Sequence, residues 1–184
     1  MTNYKIIIPY RNRAEHLQEW VGVDNVLIVE QAKGKPFNRG KLLNIGFLEC
    51  DADYLIFNDV DLIPITFKIM EGITQLAKSS IQKVDYLGGS TMFDSKTFEQ
   101  IGGYHNDFWG RAEDNEMMAN IKRLELPVRK YIMPFKELPH ARPAVEFDAD
   151  LWEMAQLPRI VQDQLSICTY KVISRIENRI VVEI

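Results

Sequence analysis

The chain has 184 residues, 46% hydrophobic and 26% charged, enough for one domain (1–184) with a real core. A formal net charge of −4 argues against non-specific nucleic-acid binding, and two cysteines cannot build a disulfide framework or a Cys/His zinc site. No apolar run approaches a membrane span, and no signal or transit peptide precedes the first apolar strand, so a cytoplasmic protein with buried free thiols at Cys50 and Cys168 is expected.

Taken in order, Tyr4–Pro9 reads as a strand ended by proline, and Ala14–Trp20 as at most two helical turns. Asn25–Gln31 is a second strand. Asn38 is placed to cap a helix running to about Glu49, with Leu42, Leu43 and Phe47 on one face. Tyr54–Asn58 is the third strand. Thr66–Lys78 carries Phe67, Met70, Ile73 and Leu76 near helical spacing and reads as a helix. Tyr86–Phe93 reads as a strand interrupted by Gly88-Gly89, where backbone can approach a ligand closely. Ser95 caps a short helix to Ile101, which Gly102-Gly103 breaks. Glu113–Leu124 is a helix and Val128–Met133 a strand, followed by an irregular segment, Pro134–Pro143. Ile167–Arg175 and Arg179–Ile184 form a hairpin turning at Glu177-Asn178. Strands alternating with helices predict an α/β domain with a mixed central sheet flanked by helices.

The chemistry concentrates in four places. The apolar run Tyr54-Leu55-Ile56-Phe57-Asn58 ends in Asp59-Val60-Asp61, which delivers two carboxylates to a sheet rim, where open α/β folds bind ligands. Such hard oxygen donors suit Mg²⁺ or Mn²⁺, and an ion of that kind usually also holds substrate phosphates. Pro9-Tyr10-Arg11-Asn12-Arg13 lies just past the first strand, at the same rim if the strands are parallel. Arginine forks there can bind phosphate or a base edge, and Tyr10 can face a base. Phe37-Asn38-Arg39-Gly40-Lys41 repeats that chemistry at a helix start. Phe108-Trp109-Gly110-Arg111-Ala112-Glu113-Asp114-Asn115-Glu116 is a second acidic cluster, which supplies either helix-start charges or a carboxylate able to take a proton from a substrate hydroxyl. Trp109 beside it offers a flat wall for a sugar ring. His140, in a loop, becomes a reasonable partner for Asp61 if a metal binds there.

In this order, Ile6–Arg13, Phe37–Phe47, Asp59–Pro64, Tyr86–Gly89, Ile101–Tyr104, Trp109–Asp114 and Leu165–Val172 resemble the β-1,4-galactosyltransferase family across nearly the whole chain. The resemblance implies a single GT-A domain and inverting transfer from a UDP-sugar, usually UDP-galactose, with Mn²⁺ (or Mg²⁺). By the same resemblance, Pro9, Tyr10, Arg11, Arg13, Phe37 and Arg39 would hold uridine and phosphate. Asp59 would meet the ribose with Val60 beside it, and Gly88 and Gly89 would line the donor site. Tyr86 would favour galactose over N-acetylgalactosamine, and Trp109 would lie over the donor and acceptor sugars. Asp61, His140 and, in the place of a family methionine, Glu137 would ligate the metal. Glu113 and Asp114 match the acceptor-side acids, with Asp114 as base.

The chain also departs from the family. Trp109-Gly110-Arg111-Ala112-Glu113-Asp114-Asn115 stands where the family has Trp-Gly-Trp-Gly-Gly-Glu-Asp-Asp, so one residue, the second Trp and one acid are missing. The segment from Arg13 to Asn25 is too short for the family's first helix, and the family's membrane anchor, stem and disulfide cysteines have no counterpart. The expectation is a minimal soluble bacterial or viral member acting on a glycan or glycolipid acceptor. Two alternatives stand beside it: a UDP-N-acetylgalactosamine transferase of the same fold, and a sugar-nucleotide binding module without turnover.

Overall fold

The isoleucines near the N-terminus become the centre of a sheet. Strand β1 (Tyr4–Tyr10) lies parallel to β2 (Val26–Gln31) on one side and to β3 (Tyr54–Asn58) on the other, with Ile6 opposite both Val26 and Ile56. The computed structural model describes residues 3–66, 69, 71–77, 87–109, 112–139, 152–153, 155 and 163–184. Among these, β4 (Leu62–Pro64) and β8 (Phe135–Glu137) form a two-stranded ladder. The main sheet adds β5 (Ile73–Ala77), β6 (Ser90–Asp94), β7 (Val128–Ile132), β9 (Lys171–Ile176) and β10 (Arg179–Glu183), in the order β7-β5-β6-β3-β1-β2-β10-β9. β6 runs antiparallel to β3 and β5, and β9 antiparallel to β10, so the sheet is mixed.

Both faces of the central strands are covered, which is why they read as continuous apolar runs. Ile7, Leu27, Val29, Leu55, Phe57 and Phe93 pack on one face with α2 (Arg39–Leu48), α3 (Ser95–Ile101) and α4 (Glu113–Arg123). Ile6, Ile8, Val26, Ile28 and Met92 pack on the other, with Trp20 of the 3₁₀ turn Gln18–Trp20 that follows α1 (Ala14–Leu17). Helix α2 is buried from Gly40 to Gly46. Gly46 is what lets it lie on the sheet: an added Cβ would come within 2.3 Å of Ile7 Cγ2 and 3.2 Å of Val29 Cγ2.

Several sequence expectations change. The segment read as a helix over Thr66–Lys78 contains strand β5 in its described part. Gly72, at φ +78°, donates its N–H to Asp94 Oδ2 at 2.7 Å and sets the chain running between β6 and β7, so sheet pairing overrides the apparent helical spacing. The strand expected from Tyr86 starts only at Ser90, because Gly89 has φ +82°; Tyr86 lies outside the described residues. Asp94, not Ser95, caps α3, its Oδ1 accepting from Thr97 N at 2.8 Å. The stretch read as irregular after Pro134 holds β8. Cys50 and Cys168 are free but only half-buried, and burial pushes both thiols up to about 11. Among the described residues no helix is long and apolar enough to cross a membrane.

Candidate active site

Because β1 and β3 are parallel, the turns after them open on the same sheet rim. The turn after β3 is held from inside: Asn58 Nδ2 donates to Leu62 O (2.6 Å), Leu62 N to Asp59 O (3.1 Å) and Trp20 Nε1 to Val60 O (2.9 Å). Asp59 N donates to Gly89 O at 2.8 Å, which brings the Gly88-Gly89 backbone against the carboxylate pair. Asp61 is nearly buried, with Arg13 Nη1 3.7 Å from its Oδ1. The β4–β8 ladder sets Glu137 opposite Leu62, and Leu138 N donates to Asp61 O at 2.8 Å. His140 lies outside the described residues; within those described, no three His, Cys, Asp or Glu side chains converge as a metal site.

Arg39 is the centre of the site. Asn38 caps α2, its side chain accepting from Lys41 N at 2.9 Å, which places Arg39 at the first helical position. Its Nε donates to Asp59 Oδ1 at 2.8 Å and its Nη1 to Asp114 Oδ1 at 3.0 Å, while Glu113 Oε1 is 3.7 Å away. Burial alone would lower the guanidinium's pKa, but Asp114, Asp59 and Glu113 together hold it well above its ordinary value. Asp114 is pushed up to about 8, first by burial and then by the like charges of Glu113 and Asp59, against the opposing pull of Arg39. A carboxyl poised near neutral pH is suited to accept a proton.

A basic and aromatic edge flanks this cluster. Arg11 donates to Lys35 O and lies 5.3 Å above the Phe37 ring, and Lys35 Nζ lies 5.6 Å from the Trp109 ring centre. Pro9 and Tyr10 are buried in β1. Tyr10 is 3% exposed, Arg179 lies over its ring at 5.5 Å, and its hydroxyl accepts from Arg13 N at 3.1 Å. Its ring is therefore not a free wall for a base; it supports the Arg11–Arg13 turn instead.

Sequence reasoning passed over the polar network that holds the second acidic cluster to α2. Asn106 O accepts from Asn38 Nδ2 (2.6 Å), its Oδ1 accepts from Asn44 Nδ2 (3.0 Å), and its own N–H groups donate to Gln164. The only available cue was the polar stretch His105-Asn106-Asp107 after Gly102-Gly103, which also describes an ordinary loop. A second missed feature is Ala112, which enters α4 at φ +78°. That conformation costs an L-residue about 1–2 kcal/mol. Ala112→Gly should therefore stabilise the protein by about 0.5–1 kcal/mol in urea unfolding, the relief being partly offset by glycine's greater unfolded-state entropy. A loss of stability would show that the loop tolerates the alanine without strain.

Over its full length the chain superposes on the catalytic domain of Drosophila β-1,4-galactosyltransferase 7, solved with xylobiose, covering 92% of that chain at TM-score 0.75 and 21% identity. A second structure of the Drosophila enzyme, a mutant with manganese, UDP-galactose and xylobiose, gives TM-score 0.74 at 22% identity and the same coverage. The fold is that of a GT-A nucleotide-sugar transferase domain. The family profile for the N-terminal region of glycosyl transferase group 7 matches residues 1–70, and that for the N-terminal domain of galactosyltransferase matches 72–141. The chain belongs to the β-1,4-galactosyltransferase family. It is 30% identical to human β-1,4-galactosyltransferase 4 over 97% of its own length and 61% of that protein. It is 33% identical to bovine β-1,4-galactosyltransferase 1 over 62% of its length and 35% of that protein. The chain thus spans less than two thirds of the first relative and about a third of the second.

Proposed function

We propose that this chain is a metal-dependent inverting glycosyltransferase that moves galactose from UDP-galactose to a hydroxyl of a glycan or glycolipid acceptor, forming a β linkage. The observation that carries the reading is the Arg39 guanidinium, which joins Asp59 at the nucleotide rim to Asp114 at the acceptor side through bonds of 2.8 and 3.0 Å. Donor and base sides of one reaction centre are thereby within one side chain of each other. The manganese and UDP-galactose bound by the Drosophila enzyme support the choice of donor and ion.

In this reading Arg11, Arg13 and Arg39 take the uridine diphosphate, with Phe37 beneath Arg11 and Pro9, Tyr10 and Val60 shaping the floor. Asp59 meets the ribose. Asp61 offers Mn²⁺ or Mg²⁺ an oxygen ligand from a nearly buried, tightly held turn, which fits a hard cation; Glu137 and His140 are the proposed partners. When bound, the ion offsets negative charge on the departing UDP. Trp109 packs against the sugars, Glu113 orients the acceptor, and Tyr86 limits the donor pocket to galactose. Asp114 takes the acceptor hydroxyl's proton as that oxygen bonds to the anomeric carbon. The bond from that carbon to the diphosphate oxygen breaks with its electron pair on UDP.

The test is transfer from UDP-galactose, UDP-N-acetylgalactosamine and UDP-glucose, with Mn²⁺, onto an array of glycan acceptors. Galactose should be transferred in preference. Preference for N-acetylgalactosamine would reassign the donor. Tight UDP-sugar binding without turnover on any acceptor would make the chain a binding module.

A further inference from the structure

Beneath the Arg39 cluster lies a buried phenol that the chemistry above does not use. Tyr104 is fully buried. Asn44 clamps its backbone, Nδ2 donating to Tyr104 O at 2.7 Å and Oδ1 accepting from Tyr104 N at 2.8 Å. The ring packs edge-on against Phe57 and tilted against Phe98, with centroids 5.9 and 6.1 Å apart. Gly40, next to Arg39, makes the room: an added Cβ would lie 3.1 Å from Tyr104 Cβ and 3.3 Å from Glu113 Cβ. The phenol therefore sits among Asp114, Arg39 and Glu113. By strict hydrogen-bond geometry its hydroxyl has no partner among the described residues, although the Arg39 guanidinium is near enough to act on it as a donor and opposes the rise of its pKa.

Folded proteins rarely keep a buried polar group unpaired, because the lost hydration is not replaced. The penalty is offset if the group finds its partner in another state of the site. Here such a state is available. In the free protein Arg39 supplies the hydrogen bond to Asp114, yet Arg39 also stands on the rim that takes the donor's diphosphate. Phosphate oxygens compete strongly for a guanidinium. If Arg39 turns to them, Asp114 loses its donor in a place where water is scarce. Burial, with the charges of Asp114 and Glu113, keeps the phenol protonated against the opposing effect of Arg39, so it remains able to donate.

We propose that Tyr104 is a positioning residue whose hydroxyl takes over the hydrogen bond to Asp114 when Arg39 engages the donor's diphosphate, keeping the carboxylate aimed at the acceptor. This rests on the reading of Asp114 as the base. No proton leaves Tyr104; the acceptor's proton ends on Asp114. The charged groups around the pair are Arg39 from α2, Asp59 after β3, and Glu113 from α4.

Tyr104→Phe keeps the ring and removes only the hydroxyl. In the free protein its Tm should change little, because the lost hydroxyl makes no well-formed hydrogen bond there. UDP-galactose affinity should stay within about twofold. At neutral pH kcat should fall by about tenfold, and the acid limb of the kcat profile should move up by about one pH unit, since a hydrogen bond to a carboxylate favours its charged form. A lowered Tm with an unmoved pH profile would make Tyr104 a purely structural residue. Unaltered kcat at every pH would also overturn the proposal. Absence of turnover by the wild type with every donor and acceptor would overturn the transferase reading, and this assignment with it.

Discussion

Asp114→Asn should cut galactose transfer by about 10²–10⁴-fold while leaving UDP-galactose affinity within a few-fold. The substitution keeps the shape that Arg39 grips at 3.0 Å and removes the proton acceptor. Donor binding is assigned to Arg11, Arg13, Arg39 and Asp61, which remain. Calorimetric affinity paired with initial rates separates the two effects, and normal turnover in the variant would move the base to Glu113. The pH behaviour gives a second handle. With Asp114 pushed up to about 8 by burial and its acidic neighbours, the wild-type kcat/KM should rise with pH and level off above that value. The native state also holds this proton more tightly than an unfolded carboxyl, whose pKa is about 4. Its contribution to stability is therefore fully present below about pH 4 and is lost as pH rises to about 8. Asparagine has no such proton, so the variant's Tm should decline less than the wild type's across that window.

Asp61→Ala should abolish the dependence of UDP binding on a divalent cation. In the wild type, UDP with Mn²⁺ at about 100 times its dissociation constant should add roughly 2.7 kcal/mol of stability, and EDTA should remove most of it. In the variant the two conditions should give the same small shift. Asp53→Ala is the control, since Asp53 is exposed at the opposite end of β3. An equal shift for wild type with and without EDTA would rule out Asp61 as a metal ligand in this chain.

The central strands and α2 were legible because each was marked by a single strong rule: Ile6–Ile8 and Leu55–Phe57 are continuous apolar runs, and Asn38 is a cap with its amide partner in place. Strand β5 was not legible. Ile73 and Leu76 fit a helix face as well as a strand, and only pairing with β6 and β7, distant in sequence, decides between them. The same distinction divides the site. Acidic and basic clusters at strand ends could be found one at a time. That Asp59, Arg39 and Asp114 meet depends on α2 holding the loop that leads into α4 through Asn106, which no local pattern encodes. Tyr10 misled because aromatic residues beside arginines suit both ligand contact and core packing, and burial on both faces of β1 selects packing.

The position of β10 affects how this protein is made. β10 pairs in parallel with β2, Ile180 opposite Val29, and Arg179 reaches back to Glu30, 149 residues upstream, and over the still earlier Tyr10. On the ribosome, β2 must wait with an open hydrogen-bonding edge until about 150 further residues have emerged. Sheets that close through such distant pairs fold slowly, and an open edge is where a nascent chain pairs with the wrong neighbour. A prematurely terminated product lacking residues 171–184 should therefore aggregate instead of persisting as a smaller folded unit, and yield in cells should respond sharply to chaperone supply.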